Sequence, residues 1–303
     1  MERSVWELPS VSAGAVFRDL GMLATTLVRG FRADPDKPTG AELAALAQEV
    51  RAGDADAAVA RCTPRENLAA LRRQGAEHLP APYRDLLLSE HHLQLFAEPA
   101  LADVAGRVFA LDGELFAPQE AARLEALAAA HARTRVLGVT RQGPAGVERA
   151  GQLLHALTGG GPGFLPGEPV LMLRNDYGRG LWNGEPGVAV RARRPGHAPT
   201  TVCAFRTRRG WLAVDPAVMG GALGLGYALT VHKAQGSEYD EVLLLLPDYA
   251  CPLVTRELVY TAVSRARASV VVCGRLEILA AGIATRAERG SGIAERLAGA
   301  RTS

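Results

Sequence analysis

The chain has 303 residues, enough for about two domains and a substantial buried core. Apolar residues make up 48% of it and charged residues 22%, which is ordinary for a soluble globular protein. Its longest aliphatic run, residues 242–246, is far short of the roughly 20 apolar residues that span a bilayer. The first residues lack the basic and apolar regions of a signal peptide, so we expect a cytoplasmic protein with no membrane partner.

Charge is distributed unevenly along the chain, although its net value is only +2. Residues 1–150 carry 17 basic and 20 acidic side chains, whereas residues 167–215 carry eight arginines and four acidic side chains. The second segment, with a net charge of +4, is where a phosphate backbone would be held electrostatically. The alternative is a solvated arginine-rich surface, because the whole chain has 32 arginines and only two lysines.

The four cysteines are scattered, and none forms a CxxC motif or has a histidine at metal-ligand spacing. We therefore interpret them as small buried apolar residues and predict no metal site. They are Cys62, Cys203, Cys251 and Cys273.

The first 160 residues predict a helix-rich region. A capping box at its start and a glycine at its end define a helix over 39–53. Further helices are predicted over 118–133 and 146–157, with a short buried strand at 135–140 between them. This alternation of strand and helix indicates a parallel sheet covered by helices.

A Gly/Pro-rich break at 158–169 is the clearest internal boundary. After it, short apolar stretches separated by turn signals predict a small β-rich module, which we expect to be a barrel. From Leu225 the alternation of strand and helix resumes, so the sequence predicts an α/β domain with an inserted β module. The elements predicted there are strands at 227–231, 242–246 and 269–273 and helices at 255–267 and 275–288.

The phosphate-binding P-loop, a Gly-rich turn that ends in Gly-Lys-Ser/Thr, does not occur in these 303 residues. The two lysines, Lys37 and Lys233, follow Asp36 and His232, so neither belongs to such a turn. No apolar strand ends in an Asp-Glu pair suited to magnesium either.

A helix that begins at Thr255, its predicted N-cap, places Thr261 and Arg265 one helical turn apart on the same face. Arg265 and Arg267 would lie near the C-terminal end of this helix, where the helix dipole favours cations. Residue chemistry alone therefore leaves a structural and a catalytic role open for Arg265.

Two stretches resemble motifs V and VI of superfamily 1 helicases of the 5′-to-3′ branch. They are YALTVHKAQGSEYDEVLLLLPD, residues 227–248, and VTRELVYTAVSRARASVVVCG, residues 254–274. Within that superfamily the chain resembles the RecD-like family, which includes the alpha subunit of exodeoxyribonuclease V. Other resembling segments are VSAGAVFRDL, GFRADPDKPTGAELAALAQEVRAGD, GEPVLMLRNDYGRGLWNGEPGVAV and LEILAAGIATRAERGSGIAERL, whereas residues 60–130 match weakly.

The resemblance implies a RecA-like second motor domain, a parallel sheet flanked by helices, interrupted by a small SH3-like β-barrel. The predicted division gives 1–160 to the helix-rich first part of the motor domain, 161–222 to the barrel, and 223–303 to the part with motifs V and VI. ATP and Mg²⁺ would be bound mainly by a separate P-loop domain. The implied reaction is ATP-dependent 5′-to-3′ DNA unwinding in recombination and repair.

Carried over by position, the resemblance also implies which residues face the nucleotide. Arg265 would reach the γ-phosphate as an arginine finger, and Arg32 would reach it from motif IV. For Arg32 the alternative is a surface arginine before a turn. Glu238 would lie near the nucleotide sugar, Gly236 would allow close approach of the backbone, and Gln235 would couple the ATP side to the DNA side.

A second set of residues is implied to face single-stranded DNA. Thr230 and His232 match positions that bind phosphate without reading sequence, and Lys233 and Asn175 join them. Taken alone, His232 would more often be a histidine packed at a strand end. We interpret Trp182 as an apolar barrel residue, with stacking on a base as the alternative.

Only MERSVWEL precedes the resembling part, so we expect the second motor domain without its P-loop domain, inactive alone. The main alternative is a natural P-loop-free remnant that binds DNA or a partner without catalysis. A third hypothesis is a subunit that assembles with RecB- and RecC-like proteins, although free-standing relatives exist.

Overall fold

The computed structural model describes residues 38–62, 103 and 106–287. These residues divide into two compact units. The α/β unit comprises 38–62, 137–140 and 230–287, and the barrel unit comprises 103, 106–136 and 141–229. Within the described ranges, no helix is both long enough and apolar enough to cross a bilayer.

The described residues contain six α-helices and eleven strands. The helices are α1 (Pro38–Ala52), α2 (Ala55–Ala60), α3 (Ala121–Arg133), α4 (Val147–Leu157), α5 (Arg256–Val263) and α6 (Leu276–Ala284). Short 3-10 turns span Pro118–Glu120 and Pro216–Met219. The strands are β1 (Val108–Asp112), β2 (Leu115–Phe116), β3 (Thr134–Gly138), β4 (Pro169–Met172), β5 (Pro186–Arg193), β6 (Thr200–Thr207), β7 (Gly210–Val214), β8 (Leu223–Leu225), β9 (Ala228–Thr230), β10 (Tyr239–Leu245) and β11 (Ala266–Cys273).

A four-stranded sheet runs in the order β11-β10-β3-β9. β10 and β11 pair in parallel, with Val242 opposite Val270 and Leu244 opposite Val272. Strands covered on both faces favour apolar sequence, and the last four residues of β10 are apolar and buried. Every residue of β3 is buried too, including the polar Thr134 and Arg135. The predicted parallel sheet with flanking helices is confirmed.

Five further strands close into a barrel in the order β1-β2-β7-β6-β5, and the parallel pairing of β1 with β5 completes the ring. Its interior is apolar: Phe109 and Phe116 meet edge to face with centroids 6.0 Å apart. Leu124 and Leu127 of α3 belong to the same buried cluster, so this helix covers part of the barrel core. β4 and β8 extend the sheet beyond β5. The predicted β-barrel module is confirmed.

The barrel takes strands from further upstream than the predicted module, residues 161–222. β1 and β2 precede α3, and β1 is needed because it pairs with β5 and closes the ring. β1 is five residues long, and its partner lies far along the chain. A short strand that pairs over such a distance leaves little local pattern, which is why the sequence assigned this stretch to the helix-rich region.

Helix α5 ends at Val263, whereas the predicted helix runs to 267. Ser264 forms the C-cap, and strand β11 begins at Ala266. The β-branched residues of β11 favour a strand over a continued helix. Arg265 and Arg267 therefore follow the helix and lead into the strand.

Candidate nucleotide site

The motif V turn, which we define as residues 231–238, connects β9 to β10. Val231 and Ala234 are buried and anchor it, whereas Gly236 is exposed and has a φ of 87°. Residues with a Cβ are strained at such a φ, so Gly236 allows the backbone to turn here. Three backbone hydrogen bonds of 3.1–3.3 Å close the turn, from Ala234 to Thr230, from Gln235 to His232 and from Ser237 to Ala234.

Arg265 is fully buried, and its guanidinium donates hydrogen bonds both within motif VI and to the motif V turn. Its Nε donates to the carbonyl oxygen of Thr261 at 3.1 Å, and its Nη2 donates to Oγ of Ser264 at 3.1 Å. Its Nη1 donates to the carbonyl oxygen of Ser237 in the motif V turn at 3.3 Å. Because a buried charge is costly without partners, these bonds fix the guanidinium in one position.

A second connection joins the start of β11 to the same turn. Nε and Nη2 of Arg267 donate to one oxygen of Glu238 at 3.0 and 2.6 Å. The Arg267 side chain is 54% exposed, so this ion pair contributes at most about 1 kcal/mol to stability. The ion pair also fixes a position, because it holds the Glu238 carboxylate beside the start of β11, directly after Arg265.

The structure therefore brings four of the predicted nucleotide-facing residues to one turn and the strand beside it: Gln235, Gly236, Glu238 and Arg265. Ser237 and Ser264, which sequence reasoning missed, hold Arg265 together with Thr261. For Ser264 the sequence did offer a signal, because this residue directly precedes Arg265 in the chain. Arg32 lies outside the described residues.

Three of the predicted DNA-facing residues lie at the start of the same turn. Oγ1 of Thr230 accepts a hydrogen bond from the backbone N–H of Lys233 at 3.3 Å, which caps the turn. Lys233 is exposed and His232 is half-buried. Thr230 is half-buried at the end of β9, so these residues and Gly236 belong to one short segment.

The other two residues of that set, Asn175 and Trp182, belong to the barrel unit, in the connection between β4 and β5. Oδ1 of Asn175 accepts from the backbone N–H of Asn183 at 2.8 Å, so Asn175 organises this connection. Trp182 is 54% exposed, whereas the neighbouring Leu181 is fully buried. The interpretation of Trp182 as a residue packed in the barrel is therefore wrong.

A buried polar cluster in the barrel unit was also missed by sequence reasoning. Glu168 is 3% exposed and accepts hydrogen bonds from the Tyr227 hydroxyl at 2.7 Å and the Leu165 backbone N–H at 2.8 Å. His155 contacts Glu168 through Nδ1 at 2.5 Å and the carbonyl oxygen of Gly161 through Nε2 at 2.8 Å. Burial alone would lower the pKa of His155, but these two acceptors raise it above the ordinary value.

The motif V turn therefore lies against a buried guanidinium and carries an exposed glycine at positive φ. Among the residues that the structure describes, no group of three histidine, cysteine, aspartate or glutamate side chains could hold a metal ion.

The turn and its partner strand match a known family model. The UvrD-like helicase C-terminal domain matches residues 225–273, which include the motif V turn and Arg265. The chain is 34% identical to the RecBCD enzyme subunit RecD of Mycobacterium tuberculosis (strain ATCC 25618 / H37Rv), over 96% of this chain and 47% of that protein. It is 33% identical to the same subunit of Mycolicibacterium smegmatis, over 96% and 48%. It thus spans about half the length of these relatives.

Two further similarities are found. An ATP-dependent RecD2 DNA helicase of Deinococcus radiodurans is 36% identical over 149 residues, 44% of this chain and 19% of that protein. The Pif1 helicase from Bacteroides, solved in complex with ADP-AlF3 and ssDNA, superimposes with a TM-score of 0.40 at 14% identity, over 92% of this chain and 57% of that one. From the sequence relatives and the domain match, the predicted resemblance to RecD-like superfamily 1 helicases is confirmed, and residues 225–273 match the UvrD-like helicase C-terminal domain.

Proposed function

We propose that this chain forms one wall of the ATP cleft in an ATP-dependent 5′-to-3′ DNA helicase of the RecD type, acting in recombination and repair. The observation that carries the proposal is the hydrogen bond from Arg265 to the Ser237 carbonyl, which joins motif VI to the motif V turn. The relatives described as RecD subunits and as an ATP-dependent RecD2 DNA helicase support the same function.

In this proposal Arg265 stabilises the negative charge that develops on the γ-phosphoryl group. Its bonds to Thr261, Ser264 and Ser237 hold the guanidinium in place before the reaction, so little reorganisation is needed. Gly236 and Glu238 face the nucleotide sugar, and Arg32 acts from motif IV. ATP and Mg²⁺ supply the phosphoryl-transfer chemistry and are held mainly by a P-loop domain.

Motion of the motif V turn would link the nucleotide to DNA. Gln235 lies in the turn between His232 and Gly236, and the backbone hydrogen bond from Gln235 to the His232 carbonyl is 3.3 Å long. A shift of Arg265 is transmitted to Ser237 and from there along the turn to Thr230. This proposal assigns single-stranded DNA to the Thr230 end, and RecB- and RecC-like subunits are candidate protein partners.

The test combines this chain with a separately expressed P-loop domain of a RecD relative and measures ATP hydrolysis stimulated by single-stranded DNA. We expect no hydrolysis by this chain alone, since its 303 residues contain no Gly-Lys-Ser/Thr turn. We expect hydrolysis by the mixture and a loss of about a thousandfold or more for Arg265→Ala.

Arg265→Lys keeps a cation at this buried position. Comparing the folding and the ATP hydrolysis of this variant with those of Arg265→Ala shows whether the loss of activity follows from loss of folding. Arg275→Ala is the matched control, because Arg275 is an exposed arginine of the same unit, paired only with its neighbour Glu277 among the bonds described. A folded Arg265→Ala variant with full activity would contradict the proposal. Hydrolysis by this chain alone would contradict the assignment of the phosphate site to another domain.

The second candidate is a binding module without catalysis. It is favoured by the complete burial of Arg265, whose partners Thr261, Ser264 and Ser237 give it a structural role even without a nucleotide. In that case Arg265→Ala destabilises the α/β unit, and the mixture with a P-loop domain hydrolyses no ATP.

A further inference from the structure

The connection between α4 and β4 is rich in glycine, and we call it the crossover loop, residues 158–168. Four of its first six residues are glycines, and the tip at 161–163 is exposed. Gly159 and Gly163 have φ values of 86° and 89°, which residues with a Cβ rarely adopt. A segment with so few side chains gains little from packing, so a small number of polar contacts decides whether it stays closed.

His155, in the last turn of α4, contacts both arms of this loop. Its Nδ1 lies 2.5 Å from Oε1 of Glu168, and its Nε2 lies 2.8 Å from the carbonyl oxygen of Gly161. Gly160 lies so close to the imidazole that a Cβ added there would overlap the ring. The His155 side chain is 12% exposed, so the ring is largely shielded from solvent.

Glu168 anchors the far arm of the loop to the rest of the barrel unit. Its carboxylate accepts from the Tyr227 hydroxyl at 2.7 Å and from the Leu165 backbone N–H at 2.8 Å. Its backbone carbonyl accepts from the N–H of Ala189 in β5 at 2.8 Å. Glu168 is therefore held by the sheet, and the loop is closed as long as His155 and Leu165 stay bonded to it.

Both contacts of His155 are with acceptors, so each of its ring nitrogens needs a proton. A protonated imidazole donates from both nitrogens, whereas a neutral one has a single N–H. The position of His155 in the last turn of a helix also favours the cation. Losing the proton therefore leaves one of the two acceptors facing a lone pair.

The charged and titratable groups of the neighbouring elements are Glu168, Tyr227, His131 and Arg135. Among the contacts described, Glu168 is the one bonded to His155, and Tyr227 reaches Glu168. His131 and Arg135 contact the carbonyl oxygens of Gly167 and Gly226 instead. The proton on His155 thus answers mainly to the Glu168 carboxylate.

We propose that His155 is a pH-sensitive switch that closes the crossover loop when protonated and releases residues 159–165 when it loses its proton. The neutral ring keeps one of its two bonds, and the glycines let the loop move away locally. Glu168 stays bonded to Tyr227 and to β5, so the barrel itself remains folded. This switch belongs to the barrel unit alone and goes beyond the proposed function, because it needs neither nucleotide nor DNA.

The experiment measures hydrogen exchange of the Leu165 amide in the 303-residue chain at about pH 5.5 and about pH 8.5, with millisecond labelling. Each rate is divided into that of an unstructured peptide at the same pH, which gives a protection factor. We expect the protection factor to fall roughly fivefold or more at the higher pH, the effect of losing one hydrogen bond. Low urea should leave Leu165 exchange nearly unchanged and accelerate exchange of β6 amides, because a local opening exposes little surface.

His155→Gln carries no titratable proton, so its Leu165 protection factor should be the same at both pH values. Gly160→Ala displaces the ring and should lower the protection factor already at the lower pH. His197→Gln is the matched control, since His197 is an exposed histidine of the same unit, and this variant should behave like the wild type.

Three results would overturn the switch. The first is a wild-type protection factor that does not change with pH, and the second is a His155→Gln variant that keeps the change. The third is a urea dependence at Leu165 equal to that of the β6 amides, because exchange would then require unfolding of the whole unit. None of these measurements involves ATP hydrolysis, so failure of the switch and failure of the proposed function are told apart.

Discussion

Arg256 shows how one side chain completes the end of a helix. Its Nε and Nη2 donate to the carbonyl oxygens of Ile283 and Ala284 at 2.8 and 3.3 Å, and its backbone N–H donates to the carbonyl oxygen of Thr285 at 2.8 Å. The last carbonyls of a helix have no partner within it, and a cation also interacts favourably with its C-terminal dipole. Arg256 thus ties α5 to the end of α6.

Gly53 makes the position of Arg256 possible. It ends α1 with a φ of 83°, and a Cβ added there would overlap Nη2 of Arg256. Gly53→Ala therefore carries a backbone cost of about 1 kcal/mol and in addition displaces the guanidinium. We expect a loss of more than about 1 kcal/mol in the free energy of unfolding, measured by denaturant titration of the α/β unit.

The control is a double-mutant cycle with Arg256→Ala. In that background the guanidinium is gone, so Gly53→Ala should cost only the backbone part. Additive effects of the two substitutions would show that the close approach of Gly53 to Arg256 carries no energy.

At the scale of elements, helix α5 presents motif VI, and its first turn is fixed by Thr255. The Thr255 side chain accepts from the backbone N–H of Leu258 at 3.4 Å and is 8% exposed. The predicted N-cap is confirmed. Further along the helix, Oγ1 of Thr261 donates to the carbonyl oxygen of Glu257 at 2.7 Å, so the hydroxyl is bonded within the helix.

Thr255→Ala removes this cap, and such substitutions cost about 1 kcal/mol. We expect that loss in the unfolding free energy of the α/β unit, measured by urea titration, together with weaker protection of α5 amides in hydrogen exchange. Thr255→Ser keeps the oxygen and should retain most of the stability. An equal loss in both variants would assign the effect to the methyl group of the threonine and not to the cap.

Sequence reasoning located these elements well where a local signal exists and less well where pairing is long-range. The capping threonine and the aliphatic run of β10 are local signals, and both were interpreted correctly. The end of α5 at Val263 and the strand β1 were missed. Strand β1 is defined by its pairing with β5, and that contact leaves no trace within a short window.

At the scale of the whole molecule, the candidate site combines residues from different parts of the sequence. Resemblance identified Arg265 and the motif V turn, but the carbonyl of Ser237 as its partner depends on how β10 and β11 pair. Backbone atoms carry no residue-specific signal, so no sequence pattern reveals such a bond. The same holds for Glu168, whose partners Tyr227 and His155 come together only in the folded barrel unit.

The stability of the barrel unit should depend on pH through His155. Its pKa in the folded state is raised, so the stability it contributes is fully present below its unfolded pKa of about 6.5 and is lost as pH rises through the folded pKa. Both ring nitrogens contact acceptors, so deprotonation removes one hydrogen bond. His155→Gln should therefore abolish a loss of stability above about pH 6.5, measured by thermal unfolding followed through Trp211 emission.

His131 should act in the opposite direction. Burial, and in addition the charge of Arg135, lowers the pKa of His131 to about 4, although its Nε2 contacts the carbonyl oxygen of Gly167 at 2.7 Å. Between about pH 6.5 and 4 the unfolded chain binds a proton that the folded unit does not, so stability falls as pH falls, by at most about 3 kcal/mol. His131→Gln should remove this part of the stability loss at acid pH. The difference between the wild-type and variant curves of stability against pH separates it from the contribution of the carboxylates. Together the two histidines predict that the barrel unit is most stable near pH 6.5, and difference curves that stay flat with pH in both variants would contradict that assignment.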